Sequence, residues 1–414
     1  MEKLQPKLRF PGFENDWSKI ELNNFVIDVK GGAPLKPSDF TTTPGYEVIP
    51  KKGITSGGFL KLDIDEPTFC KKTFFEKFQN SVIDNSYLVT TLRDLVPSGP
   101  SIGFIVENPN NKKYILAQGV YGFKINNNLN HKFLIQFSNT NIYRLLMQTI
   151  MVGSTQVHIR NTTFFGIKIP YTKIDEQNKI ATFLSAVDKK INQLTEKKDL
   201  LEDYKKGIMQ KIFSQELRFK DDDGNDFPEW QNTKLKNVIS KFIVPMRDKP
   251  KDLNGEIPWC RIEDFEGKYL LQSKSNQGVT METVNQMNLK IYPIDTLLVS
   301  CSANLGFCAI VKKELITNQT FIGLYPNEKK VNVEFLYYLM KLSARRLNVL
   351  SSGTTISYLS RDEFENFTIK LPYIKEQTKI ANFLSAIDDK INQVGTQLDS
   401  TKEFKKSLLQ QMFV

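Results

Sequence analysis

The sequence predicts a mixed α/β (α+β) fold built twice: two pseudo-repeated globular domains in tandem, separated and followed by two long helices that pair as a coiled coil. Three observations predict it. A long segment recurs at an offset of 200 residues, EQNKIATFLSAVDKKIN (176–192) returning as EQTKIANFLSAIDDKIN (376–392) with four of seventeen positions changed. Both copies carry an apolar stripe in alternating steps of four and three, the heptad pattern of a coiled coil. Ahead of each copy lies a stretch in which β-like and helix-like runs mix. Symmetry of such long period outranks any local assignment.

In chain order, residues 1–171 form the first globular domain. It opens with LRFPGFENDW (Leu8 to Trp17), echoed by LRFKDDDGNDFPEW (Leu217 to Trp230) at the start of the second half. YLVTT (87–91) and IGFIV (102–106) read as strands, and Phe133 to Met151 reads as one helix. That helix leads into GSTQ at Gly153, matched by GTTI at Gly353, and each turn precedes a strand-like run, FGIKIP (165–170) and FTIKLP (367–372). Residues 172–214 are the first helical repeat: Ile180, Leu184, Val187, Ile191 and Leu194 make the stripe, Lys198 interrupts it, and Leu201, Ile208 and Ile212 resume it. Residues 215–371 form the second globular domain, with DDDGND (221–226) as an exposed acidic linker, strands at TLLVS (296–300) and CAIVK (308–312), and a helix from Val333 to Leu350. Residues 372–414 are the second helical repeat, striped by Ile380, Leu384, Ile387, Ile391, Val394 and Leu398, then Leu408 and Met412.

Each helix, roughly 57 Å long at 1.5 Å per residue, has no core of its own and must bury its stripe. The nearest equivalent partner is the other copy. The stripes differ, Lys198 aligning with Leu398 and Leu201 with Thr401, so the pair does not present identical faces. Gly395, mid-helix, predicts a weak point or bend, because glycine costs about 1 kcal/mol there relative to alanine.

The chain has 414 residues, 40% hydrophobic and 25% charged, with 29 Phe and 14 Tyr, which suits two to four folded domains. No apolar run approaches the roughly 20 residues that span a bilayer. The N-terminal MEKLQPKLRFPGFENDW has no signal-peptide core, so a cytoplasmic protein is expected. Cys70, Cys260, Cys301 and Cys308 are scattered without a C-x-x-C pair, and there are two histidines, so no structural metal site is predicted. The net charge is +10; residues 1–171 hold 20 basic and 14 acidic side chains (+6), and the three following segments add +2, +1 and +1. A basic balance permits binding to a polyanion.

Catalytic motifs are missing. There is no G-x-x-x-x-G-K-[ST] phosphate loop, no G-x-G-x-x-G after a strand and no G-x-S-x-G elbow. No catalytic residue, metal ligand or cofactor of this chain is predicted. DNA-contact candidates are the paired turns, Gly153, Ser154, Thr155 and Gln156 with Gly353, Thr354 and Thr355, where small residues admit another surface and hydroxyls can bond phosphates or base edges. A plain helix-ending turn would use the same residues. His158, Arg160, Ser357 and Arg361 add polar reach. Lys51 and Lys52, Arg261 in IPWCRIEDF, and Ser302 and Asn304 in SCSANLG are further candidates, since Arg suits guanine edges and Asn suits adenine.

The half-start LRF…DW, the turn GST/GTT, the strand KIP/KLP and the helix EQ-x-KIA-x-FLS-A-[VI]-D-x-KI together resemble the specificity subunit (HsdS) of type I restriction–modification systems. The likeness runs over essentially the whole chain in the family's order. It implies two target-recognition domains, each reading one half of a bipartite asymmetric double-stranded DNA site, and an antiparallel coiled coil that sets the spacing and docks two methyltransferase subunits. It implies S-adenosylmethionine, ATP and Mg on partner subunits only, including restriction/translocase subunits, and an adenine methyltransferase and endonuclease activity that belongs to the complex. Three other readings stay open: a non-DNA adaptor scaffolded on the coiled coil, the specificity subunit of a related methyltransferase-only system, and a free-standing enzyme.

Overall fold

The computed structural model describes residues 4–63, 65–108, 110–246, 249–301, 305–351 and 359–414. Two compact units divide the chain, Met1–Lys197 with Val394–Val414, and Lys198–Gln393. Each unit therefore contains one globular domain, part of the central helix (Ile174–Phe213) and part of the C-terminal helix (Ile374–Met412).

In the first unit a four-stranded antiparallel sheet runs in the order Val26–Gly31, Val120–Ile125, Leu88–Thr91, Ile105–Glu107. A second, mixed sheet pairs Tyr46–Ile49 parallel to Tyr114–Leu116. The strand Lys168–Tyr171, read as a β-run ending at proline, pairs antiparallel with Ser18–Glu21. The core gathers Trp17, Phe123, Phe133, Tyr143 and Phe164 with Ile180 and Leu184 of the central helix and Leu408 and Met412 of the C-terminal helix.

The second unit repeats this plan. Its main sheet is ordered Ile239–Ile243, Phe321–Pro326, Leu297–Ser300, Cys308–Val311, Tyr269–Leu270. Ile257–Cys260 lies parallel to Ile316–Thr317, and Gln231–Lys234 pairs with Thr368–Leu371. Its largest core cluster joins Phe335, Tyr338 and Phe364 to Met209 and Ile212 of the central helix and Ile380, Leu384 and Ile387 of the C-terminal helix.

Much of the heptad stripe is buried: Leu184 and Leu384 are 0% exposed, Leu194, Val394 and Leu398 are also buried, and Val187, Ile191, Leu201, Ile208 and Ile391 are half-buried. Within each unit the two helical segments run antiparallel, and an ion pair fixes the register. Lys405 Nζ meets Asp188 Oδ1 at 2.6 Å in the first unit, and Lys205 meets Asp388 in the second. These are the same two positions of the repeat with the helices exchanged. Each carboxylate is also tied to its own domain, by Gln136 Nε2 donating to Asp188 (2.6 Å) and by Tyr338 OH donating to Asp388 (2.5 Å).

The echoed motifs form the joint between each domain and its helix. Arg9 of the first LRF grips Glu176 through Nε (2.6 Å) and Nη2 (2.9 Å); Arg218 of the second grips Glu376 through Nε (3.2 Å) and Nη2 (2.9 Å). The next residue is a buried clasp. Gln177 accepts from the Asn130 backbone N–H (2.8 Å) and donates to the Thr172 carbonyl (2.7 Å), while Gln377 accepts from Asn332 (2.9 Å) and donates to the Pro372 carbonyl (2.9 Å).

One expectation needs correction, and two gain detail. The helix read from Phe133 to Met151 is two helices, His131–Ser138 and Asn141–Ile150, because Thr140 takes an extended conformation and its side chain caps the second by accepting from the Tyr143 N–H. The C-terminal helix is continuous through Gly395, where a Cβ would meet nothing within 4 Å. The acidic stretch 221–226 is an exposed turn, yet it is anchored: Lys379 pairs with Asp222 (2.6 Å) and donates to the Lys220 carbonyl (2.8 Å).

Candidate nucleic-acid interface

The turn picked out at Gly153 is the tip of a small hairpin. Val152 and His158 exchange backbone hydrogen bonds of 2.9 Å in both directions, closing the loop Gly153–Val157. Gly153 has φ +122°, and a Cβ there would stand 2.0 Å from the Gln156 carbonyl oxygen, so glycine is required for this closure. Ser154, Thr155, Gln156 and His158 are all exposed.

The hairpin is held beside a second loop. Val157 and His158 pair antiparallel with Asp94 and Arg93. Asp94, itself buried, accepts from the Val96 N–H (3.1 Å), the Ser101 N–H (3.1 Å) and the Ser101 hydroxyl (2.6 Å). These bonds outweigh its burial and hold the carboxyl below the usual carboxylate range. They also fix the loop 95–100, which presents Leu95 and Val96 to solvent. Gly119 (φ +87°) lies between Lys51 and Arg93: a Cβ there would stand 3.1 Å from both Lys51 Cε and Arg93 Cβ. Burial first, then the nearby Arg93 charge, push the Lys51 ammonium below its ordinary range, with Asp94 partly opposing. Among the described residues neither Lys51 nor Arg93 forms an ion pair.

Lys51, Gly153–Gln156 and His158 are thus brought to one face of the first domain, with exposed Arg160 two residues beyond His158. Lys52 points elsewhere, into a cleft it lines with Glu47, Lys61 and Asp63. Sequence reading passed over Arg93 and the loop after it; the signal was the Arg-Asp pair followed by the P-S-G-P turn at 97–100.

In the second unit Arg261 opens the 3-10 turn Ile262–Asp264 after the strand Ile257–Cys260, as Lys51 begins the 3-10 turn Lys51–Gly53 after Tyr46–Ile49. The two lie one residue out of register: Arg261 caps its turn in the place of Pro50, and Ile262 stands where Lys51 does. Arg261 has a partner, Glu263, with Nε 2.9 Å from Oε1. Arg361 starts the helix Arg361–Asn366 and donates to Glu365 at 2.6 Å. Ser302, Asn304, Gly353, Thr354, Thr355 and Ser357 lie outside the described residues.

The four cysteines are buried and unpaired, and burial pushes the Cys260 and Cys308 thiols up to about 12 and the Cys301 thiol to about 11. Among the described residues no cluster of His, Cys, Asp and Glu is arranged to hold a metal, and no helix is long and apolar enough to cross a membrane.

Comparison with known proteins gives this geometry a family. The family described as the type I restriction modification DNA specificity domain matches twice, at residues 14–203 and 228–399. The MjaIX specificity subunit of a type I restriction enzyme from Methanocaldococcus jannaschii is 30% identical over 208 residues, 49% of this chain and 48% of that protein. The MjaVIII specificity subunit from the same organism is 23% identical over 427 residues, covering 97% of this chain and 92% of its own. The chain thus spans about half the length of the first of these relatives and nearly all of the second. The crystal structure of the type I restriction-modification S subunit from M. genitalium shares the fold over 99% of both chains, with a TM-score of 0.63 at 16% identity. Two copies of the matched domain account for most of the sequence, and the chain belongs to the type I restriction modification DNA specificity family.

Proposed function

We propose that the chain is the DNA-sequence-specificity subunit of a type I restriction–modification complex. Residues 1–171 and 215–371 act as two target-recognition domains, each reading one half of a bipartite, asymmetric site in double-stranded DNA. Residues 172–214 and 372–414 act as the spacer helices, setting the distance between half-sites and docking two methyltransferase subunits. Those subunits bring S-adenosylmethionine and methylate adenine; restriction/translocase subunits bring ATP and Mg. The chain itself contributes binding and positioning, and the complex works in the cytoplasm.

The observation that carries this reading is the duplication itself. Two matched domains end in the same Arg–Glu and Gln joint onto the same helix, while their surfaces differ: at the first 3-10 turn one domain carries Pro50 and Lys51 where the other carries Arg261 and Ile262. Equivalent frames with unlike surfaces suit an asymmetric site, and a fixed frame suits a fixed spacing.

The test is adenine-methylation mapping by long-read sequencing in cells expressing this chain with the methyltransferase subunit encoded beside it. A bipartite methylated motif that disappears when this chain is deleted is expected. Unchanged methylation, with both proteins present, would favour the adaptor reading, which needs no DNA affinity at all.

A further inference from the structure

Lys51 and Arg93 are two cations held together around Gly119 with no counter-ion among the described residues. The one carboxylate close by, Asp94, is buried and spent on loop hydrogen bonds. Like charges placed side by side and left unneutralised are repulsive in the free chain, and an external anion relieves them. Next to this pair stand Leu95, 63% exposed, and Val96, 48% exposed, on a loop that cannot fold them inward because Asp94 fixes its backbone. The loop is backed by the hairpin: a Cβ on Gly99 would stand 2.9 Å from Met151 Sδ and 3.3 Å from Val157 Cγ2. Two aliphatic side chains rigidly displayed beside an unpaired cationic couple fit a surface that is itself both anionic and apolar. Duplex DNA offers that combination in the major groove, as backbone phosphate and the thymine C5-methyl group.

We propose that Lys51 and Arg93 clamp one backbone phosphate of the first half-site while Leu95 and Val96 press on a thymine methyl group there. This rests on the reading of the first domain as a DNA reader and names the chemistry of its contact. The clamp supplies affinity and register without sequence information; the aliphatic pair supplies discrimination of T·A from other pairs.

The test uses the full chain purified with its methyltransferase subunit and duplexes bearing the mapped motif. In one duplex series each thymine of the half-site is replaced singly by deoxyuridine, which lacks only the methyl. Wild-type complex should lose about tenfold in affinity at one such position. The double variant Leu95→Ser, Val96→Ser should bind the thymine and uracil duplexes equally and should methylate sites relaxed at that position. Lys51→Gln and Arg93→Gln should instead weaken all duplexes alike, and the two changes together should lower the salt slope of log K by about one. Arg93, Leu95 and Val96 are exposed and Lys51 is half-buried, and an unchanged thermal transition and subunit assembly establish that the complex is intact. A Leu95/Val96 variant that keeps wild-type uracil sensitivity and half-site preference overturns the methyl contact. Cation variants with an unchanged salt slope overturn the clamp. A wild-type complex with no affinity for its own motif would overturn the DNA-reader reading and this contact with it.

Discussion

Replacing Glu176 by alanine removes an acceptor on which four donor groups converge: Arg9 Nε (2.6 Å) and Nη2 (2.9 Å), Trp17 Nε1 (3.1 Å) and the Thr172 hydroxyl. Glu176 is 1% exposed and the Arg9 side chain 13%, so water cannot take over. Removing one partner of a buried ion pair costs about 3–5 kcal/mol, a large share of the roughly 5–15 kcal/mol that stabilises a domain. The second domain supplies the control. Glu376 receives Arg218 through Nε and Nη2, but Trp230 Nε1 has no partner among the described residues, and Pro372 stands where the first copy has Thr172. Two fewer hydrogen bonds, at about 0.5–1.5 kcal/mol each, make Glu376→Ala milder than Glu176→Ala by about 1–3 kcal/mol. Urea unfolding of the full chain measures the losses. Hydrogen exchange localises them, to Ser18–Glu21 and Lys168–Tyr171 for Glu176→Ala, and to Gln231–Lys234 and Thr368–Leu371 for Glu376→Ala. Equal losses in the two variants, or a Glu176→Ala loss below about 1 kcal/mol typical of exposed pairs, would refute the joint as drawn.

Other expectations follow from single positions. Gly207→Ala and Gly395→Ala should each raise stability by roughly 1 kcal/mol, since a Cβ at either helix-interior site meets nothing within 4 Å; a higher urea midpoint with unchanged DNA binding checks it. Gly153→Ala should strain the hairpin by about 1–3 kcal/mol, read as faster exchange of the Val152 and His158 amides and weaker DNA binding. Asp188→Ala strips Lys405 and Gln136 of their acceptor and should cost about 3–5 kcal/mol. Adding Lys405→Met should recover part of that loss, and a double variant worse than the single one would contradict the pairing.

The large features were legible because they follow from periodicity. A stripe at steps of four and three must be buried, and Leu184 and Leu384 are; a repeat at 200 residues must build the same frame twice, and the two strand pairs ending in Lys168–Tyr171 and Thr368–Leu371 do so. The purpose of the echoes was not legible. Arg9 and Glu176 lie 167 residues apart, and only the folded chain brings a motif seen as a mere label into a bidentate grip. Thr140 was missed as a helix start because the apolar content on both sides of it is continuous, and a cap is a local side-chain event. The candidate surface divided in the same way. Gly153–Gln156 stood out by repetition, whereas Arg93 gains meaning from Lys51 and His158, which reach it through strand pairing and a glycine's missing side chain rather than through sequence neighbourhood. Lys52 looked equivalent to Lys51 in sequence and is directed to a different cleft, because adjacent residues on a 3-10 turn diverge.

The central claim is that each globular domain reads its own half-site on a common frame. Its most direct measurement is methylation mapping after residues 215–371 are exchanged for the corresponding domain of another family member, with the joint residues Arg218, Glu376 and Gln377 and both long helices retained. One half of the methylated motif should change while the other half and the spacer length stay as they were. Changes in both halves, or an unchanged motif from an assembled and active complex, would contradict it.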